Sequence, residues 1–143
     1  MNRSARAASA PTTTGAWPRI ERWGHVPYDE ALRRQLALAA GVERGTAPDT
    51  LVEVEHPPTV TLGRHAPEDH VLLGVAERSE RGIVVVRSDR GGKATYHGPG
   101  QVVLYPIVHI GRIGLGVKSW VCLLESSLRE VLGVYGLAGK IVD

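Results

Sequence analysis

Residues 90–101 concentrate the side chains and glycines of this sequence that could bind or orient a reacting molecule. The segment lies between two apolar runs, residues 83–86 and residues 102–108. It contains four glycines, a proline, two basic residues and a histidine, so it cannot form a hydrophobic core of its own. Binding residues are often carried by such loops between rigid elements. We therefore interpret the segment as a functional loop and not as a plain turn between two strands.

The composition of this loop suits recognition of an acyl group. Gly91 and Gly92 have no side chains, so their backbone N–H groups could approach a carbonyl oxygen closely. Thr95 and Tyr96 could offer hydroxyl groups, and His97 could orient a reacting group. We expect these residues to line one binding site.

A phosphate-binding loop is a different interpretation of the same glycines, and its spacing rule is not met. A Walker loop needs a glycine five positions before a Gly-Lys pair, and Ser or Thr after that pair. Here Gly92-Lys93 is followed by Ala94, and Arg87 stands at the upstream position. The loop is therefore not predicted to hold a nucleotide phosphate.

Two other groups of residues could take part in chemistry. His56 ends a predicted strand before two prolines, where it could face the same pocket or hold the turn, and the sequence leaves both roles open. His65, Asp69 and His70 are possible metal ligands, but their irregular spacing in a polar segment is not that of a zinc site. We expect no metal.

Cys122 is the single thiol of the chain, and Lys118 precedes it by one helical turn. A neighbouring ammonium lowers the pKa of a thiol and makes it a better nucleophile. Cys122 also borders an apolar stripe, where an inert buried cysteine is the usual outcome. We expect the buried cysteine and keep the Lys118–Cys122 dyad as an alternative.

Composition limits the class of protein. The chain has 143 residues with 43% hydrophobic side chains, which fits one globular domain. A single cysteine allows no internal disulfide and fits the cytoplasm. The net charge is +2, of which residues 1–20 carry +3, so the remainder carries −1 and no nucleic-acid surface is predicted. No apolar run is long enough to span a membrane.

Residues 1–20 are rich in Ala, Ser, Thr and Arg and are predicted to be a disordered tail, with an organelle transit peptide as the alternative. The folded domain is predicted over residues 21–143. Hydrophobic periodicity and turn residues predict helices at residues 28–43 and 117–135, strands at residues 50–55, 59–62, 83–86 and 102–110, and one or two short helices within residues 68–80. The all-apolar strand at 83–86 is expected to be buried on both faces, and Pro106 to mark an edge or bulge. This order predicts an α+β fold with a mixed sheet and flanking helices.

Several blocks of the sequence together resemble one family, the octanoyltransferases of lipoate biosynthesis. The resemblance begins at Trp23-Gly24, Tyr28 and Gln35 and continues through the block Glu-His-Pro-Pro-Thr-Val-Thr-Leu-Gly-Arg at residues 55–64. Its most specific part is Asp-Arg-Gly-Gly-Lys-Ala-Thr-Tyr-His-Gly-Pro-Gly-Gln at residues 89–101, followed by Tyr105-Pro106.

The resemblance implies a fold like that of the biotin and lipoate protein ligases. It implies transfer of octanoate from acyl carrier protein to a lysine of a lipoyl domain, through a thioester on an enzyme cysteine and without a cofactor. The acceptors would be the lipoyl domains of 2-oxoacid dehydrogenases and the glycine cleavage H protein. The matching substrate-binding residues are Arg90, Gly91, Gly92, Lys93, Ala94, Thr95, Tyr96 and His97.

The catalytic lysine and cysteine of the family follow a Gly-Val-Trp-like strand that this sequence does not reach by Asp143. The resemblance therefore places both residues beyond Asp143, with the C-terminal part of the fold missing. Neither Lys118 nor Cys122 lies at a matching position. The alternatives are a non-catalytic remnant that binds acyl carrier protein or a lipoyl domain, and a relative of the ATP-dependent lipoate ligases.

Overall fold

A computed structural model describes residues 18–141. The described residues form two compact units, residues 18–108 and residues 109–141. The strands are β1 (Arg19–His25), β2 (Thr50–Glu55), β3 (Thr59–Leu62), β4 (Val84–Arg87), β5 (Ala94–His97) and β6 (Val103–Ile107), and the helices are α1 (Tyr28–Arg44), α2 (Val75–Glu80) and α3 (Val117–Val134), with a 3-10 turn at Glu68–His70.

The first unit contains two three-stranded mixed sheets. In the first sheet β2 is central, with β1 parallel on one side and β6 antiparallel on the other. In the second sheet β3 is central, with β4 parallel and β5 antiparallel. The predicted α+β class with mixed sheets and flanking helices is confirmed. Pro106 lies on the edge strand β6, as its missing N–H requires.

The hydrophobic core of this unit lies where α1 begins beside the first sheet. Val26, Ala31 and Val54 are buried there, and the side chains of Trp23, Val103 and Tyr105 pack against them. The helix α1 ends at Gly45, whose φ of 72° places it in the left-handed region that glycine adopts without strain. This end allows the chain to turn directly into β2.

The second unit contains α3, in which no residue is buried. Gly136, predicted as the cap of this helix, has a φ of 72° and donates its N–H to the carbonyl of Gly133. Leu137 donates to the carbonyl of Leu132, which completes a Schellman ending. No helix among residues 18–141 is long and apolar enough to cross a membrane.

The structure corrects four sequence predictions. Arg19 and Ile20 belong to β1 and not to the tail predicted over 1–20, and residues 1–17 lie outside the described residues. The strand β4 is an edge strand with Val84 56% exposed, so it is not buried on both faces. The loop predicted over 90–101 contains a strand, β5. The strand predicted over 102–110 is shorter, because β6 pairs with β2 only over Val103–Ile107.

Candidate acyl-binding site

The side chain of Arg90 fastens its own loop to the second sheet. Its Nη2 donates to the carbonyl oxygen and to Oγ1 of Thr61, and to Oγ1 of Thr95, each at 2.8 Å. Its Nη1 donates to the carbonyl of Gly91 at 3.0 Å. Thr61 and Thr95 face each other across β3 and β5, so one guanidinium joins both strands to the turn between β4 and β5. Arg90 therefore holds the loop against the sheet, and the several N–H donors of a guanidinium suit this role.

The turn at residues 90–93 is also held by backbone contacts from the end of β3. The N–H of Gly63 donates to the carbonyl of Lys93, and the N–H of Arg64 donates to the carbonyl of Arg90, both at 3.0 Å. Gly63 approaches Gly92 so closely that a Cβ on Gly63 would overlap the Gly92 carbonyl. Gly91 and Gly92 remain exposed on the outer side of this turn. The turn therefore has a fixed inner edge and an accessible backbone outside.

His97 ends β5 opposite Thr59 and is half-buried. Its Nδ1 lies 3.0 Å from Oε1 of Gln101, an acceptor, so Nδ1 carries the proton and donates. Its Nε2 lies 3.4 Å from Oγ1 of Thr61 and is left as the acceptor. Burial lowers the pKa of His97 below 6.5, the hydrogen bond to Gln101 opposes this, and the charges of His56 and Arg90 add to the lowering. His97 is thus a neutral imidazole at neutral pH, with Nε2 next to the hydroxyl of Thr61.

His56 is completely buried, and its two ring nitrogens contact residues from different parts of the first unit, Val26 and Tyr105. Its Nδ1 donates to the carbonyl of Val26 at 2.7 Å, and its Nε2 accepts from the hydroxyl of Tyr105 at 2.9 Å. Its ring lies 5.8 Å from the ring of His97. The sequence left two roles open for His56, facing the pocket or holding the turn. In the structure His56 is hydrogen-bonded through both ring nitrogens and packs directly behind His97.

Two tyrosines complete this cluster of rings. The ring of Tyr28 stacks on His97 at 6.1 Å with an interplanar angle of 21°, and its hydroxyl donates to Oγ of Ser88 at 3.2 Å. Burial, followed by the influence of Tyr28, raises the pKa of Tyr105 to about 12, while the hydrogen bond from Gln35 opposes the shift. Tyr105 therefore stays protonated and remains a donor to His56.

The chain is similar to known proteins in sequence and in fold. A family described as "Lipoyl protein ligase A/B catalytic domain" matches residues 27–143. The chain belongs to this family. It is 50% identical over 119 residues to an octanoyltransferase of Chloroflexus aurantiacus, covering 83% of this chain and 53% of that protein. It is 46% identical over 120 residues to an octanoyltransferase of Chloroflexus aggregans, covering 84% and 54%. The chain therefore spans about half the length of these relatives.

Solved structures show the same fold for this lipoyl protein ligase A/B family member. Protein Ta0514 of T. acidophilum superposes with a TM-score of 0.55 at 18% identity, covering 88% of this chain and 52% of that one. A lipoate-protein ligase A bound with ATP gives a TM-score of 0.55 at 18% identity, covering 88% and 51%. The lipoate ligase fold expected from the sequence resemblance is confirmed.

The eight residues predicted to bind substrate do not form one surface. Strand alternation places Thr95 and His97 on the face of β5 that meets Arg90, while Ala94 and Tyr96 lie on the opposite face. Lys93 is exposed at the turn. The structure thus brings Arg90, Thr95 and His97 together next to the glycine turn, and it separates Tyr96 from them.

Sequence reasoning missed the partners that hold this arrangement in place. Thr61, Tyr28, Ser88 and Tyr105 all contact the predicted residues or their neighbours. One signal was present for Thr61, because Thr59 and Thr61 are polar residues on alternate positions of a predicted strand. The structure buries both residues.

Two other groups of candidate residues were considered in the sequence. Cys122 is exposed in the second unit, so the prediction that this cysteine is buried is wrong. Lys118 is also exposed. His65, Asp69 and His70 form no metal-binding group, and none was found elsewhere among residues 18–141.

Proposed function

We propose that this chain carries the acyl-binding part of an octanoyltransferase, which moves octanoate from acyl carrier protein to a lysine of a lipoyl domain. The observation that supports it most directly is the exposed Gly91-Gly92 turn, which is fixed from behind by Arg90 and by the amides of Gly63 and Arg64. Relatives that are named octanoyltransferase, at up to 50% identity, favour this transfer over ATP-dependent ligation and over a non-catalytic remnant.

The chemistry would proceed in two acyl transfers. In the first, a thiolate attacks the carbonyl carbon of the carrier-bound octanoyl thioester, and the carrier thiolate leaves. In the second, the amine of the target lysine attacks the new thioester, forms an amide, loses a proton and releases the enzyme thiolate. Both steps pass through an oxyanion, which preorganised backbone N–H groups can stabilise. We assign that role to the turn at Gly91 and Gly92.

The nucleophile of this reaction is proposed to lie outside the present sequence. The family resemblance places the catalytic lysine and cysteine beyond Asp143, and Cys122 does not lie at a matching position. The residues of this chain would then bind and orient the octanoyl thioester. His97 would orient the reacting group, and within residues 90–97 the glycine turn with Arg90, Thr95 and His97 would form the part of the segment that contacts substrate.

The proposed partners follow from the same reaction. The donor would be octanoyl-acyl carrier protein. The acceptors would be the lipoyl domains of 2-oxoacid dehydrogenases and the glycine cleavage H protein. A cytoplasmic location suits an exposed, unpaired thiol such as Cys122, because reducing compartments preserve free cysteines.

Nuclear magnetic resonance titration with S-octanoylpantetheine tests the proposal on the chain as it stands. We expect shifts at the amides of Gly91, Gly92 and His97 and no shifts along α2. Gly91→Val should weaken binding at least about tenfold by blocking close approach of the ligand to the backbone. Gly74→Val is the matched control, since both positions have open space for a Cβ. Unmoved amides in the turn, or equal effects of the two variants, would contradict the proposal.

A further inference from the structure

Arg87, the last residue of β4, donates hydrogen bonds to three carbonyl groups of a neighbouring turn at residues 63–66. Its Nη1 lies 3.0 Å from the carbonyl oxygen of Ala66, 3.3 Å from that of Gly63 and 3.5 Å from that of Arg64. The turn is closed by the N–H of Ala66, which donates to the carbonyl of Gly63 at 3.0 Å. Three carbonyl dipoles that converge on one point repel each other, so a cation at that point stabilises the turn.

The same turn holds the inner edge of the proposed acyl-binding turn. Gly63 and Arg64 present their carbonyls to Arg87, and they donate their N–H groups to Lys93 and Arg90. Each of these two residues is therefore fixed by Arg87 on one side and fixes residues 90–93 on the other. A rotation of the 63–66 turn would break both backbone bonds at once.

We propose that Arg87 is a positioning residue for the acyl-binding turn, acting through residues 63–66 without touching substrate. The inference rests on the proposed function, because positioning of this turn affects the reaction only if the turn binds the acyl group. The ion pair of Arg87 with Glu68 does not explain the position of the guanidinium, because the two groups are 3.6 Å apart and the Glu68 side chain is 89% exposed. Exposed pairs of this kind contribute little. The carbonyl contacts are the interaction that matters.

Amide hydrogen exchange directly tests the contacts that connect Arg87 through residues 63–66 to the acyl-binding turn. Arg87→Met should speed exchange of the Gly63 and Arg64 amides by about tenfold, since a charge-assisted hydrogen bond is lost at a half-exposed site. The amides of Val52 and Val54 should exchange as before. Arg87→Lys should give an intermediate effect, because an ammonium keeps the charge but not the fork of donors.

Two variants serve as controls. Arg81→Met removes an arginine of similar exposure, whose side chain pairs with Glu77 on the surface at 2.7 Å. Glu68→Gln removes the ion pair of Arg87 and leaves the carbonyl contacts. Both should leave the Gly63 and Arg64 amides protected. Unchanged exchange in Arg87→Met, or an equal change in Glu68→Gln, would overturn the inference.

Binding of S-octanoylpantetheine gives the functional readout. Arg87→Met should raise the dissociation constant about tenfold while the urea midpoint changes little, and Arg87→Lys should recover part of the affinity. If the wild-type chain does not bind this probe, the proposed function fails, and the exchange experiment still decides whether Arg87 positions the turn. Weak binding accompanied by general unfolding of Arg87→Met, with no rescue in Arg87→Lys, would contradict a positioning role.

Discussion

At the scale of single residues, the site depends on two imidazoles, His56 and His97, that are held by hydrogen-bond partners on both ring nitrogens. His56 donates from Nδ1 to the carbonyl of Val26 and accepts at Nε2 from Tyr105. His97 donates from Nδ1 to Gln101 and keeps its Nε2 as an acceptor next to Thr61. Burial lowers the pKa of His97, which favours the neutral form of this ring.

The pH dependence of stability should report on His97. Burial lowers the pKa of His97 below its ordinary value of 6.5, so the unfolded chain binds more protons than the folded one just below that pH. The contribution of His97 to stability is therefore present above pH 6.5 and is lost as the pH falls through the lower folded-state pKa. Urea unfolding between pH 8 and pH 5 should show a steeper loss for the wild type than for His97→Gln. Parallel curves for the two proteins would contradict this.

The sequence predicted part of this site, and the limit is physical. Arg90, the glycines and His97 stand out because a loop with so many special residues has no packing explanation. Thr61 and Tyr28 lie in blocks that resemble the family, but the sequence does not show their role in the site, because it arises from contacts with residues that lie 29 to 69 positions away along the chain. Those contacts exist because β3 pairs with β5 and because α1 lies beside them. Neither the strand pairing nor the placement of the helix can be derived from local composition.

At the scale of elements, the two turns that follow β3 and β4 are packed backbone against backbone. The position of Gly63 has no room for a side chain, since its Cβ would overlap the carbonyl of Gly92 and lie 3.2 Å from the carbonyl oxygen of Arg90. Backbone atoms that are fixed by hydrogen bonds cannot move aside as a flexible side chain can. The contact therefore sets the distance between the turns.

Gly63→Ala should consequently destabilise the chain by about 1–3 kcal/mol, the usual cost of overpacking, and should weaken binding of S-octanoylpantetheine. Gly74→Ala is the matched control, because a Cβ there meets nothing within 4 Å and its φ of −63° suits any residue. Urea unfolding and ligand titration of both variants give the measurement. Equal stability of the two variants would show that the turns can separate without cost.

The secondary structure was predictable where the sequence pattern is local. The bounds of β2 and β3 match their prediction, because apolar and polar residues alternate or turn residues end the strand on both sides. The strand β1 was missed, since it is an edge strand whose Ile20 is 62% exposed and which lacks apolar alternation. The burial of β4 was wrong because an apolar run does not show whether a second layer covers it.

At the scale of the whole molecule, buried residues are distributed unevenly. Among residues 18–141, every buried residue lies between residues 26 and 98, and α3 has none. Both sheets, the core around Val54 and the complete candidate site belong to residues 18–108. No shift in composition marks the boundary near residue 108, so the division into two units was not predictable from the sequence.

A fragment of residues 18–108 should therefore fold alone and keep the site. Strand pairing and burial that stabilise the site are contained in this fragment, and domains of this size commonly fold independently. Its urea midpoint should lie close to that of the 143-residue chain, measured side by side, and its Gly63 and Arg64 amides should stay protected from exchange. A broad transition without cooperativity in the fragment, next to a sharp one in the whole chain, would show that residues 109–141 contribute to the stability of the site despite lacking a buried residue of their own.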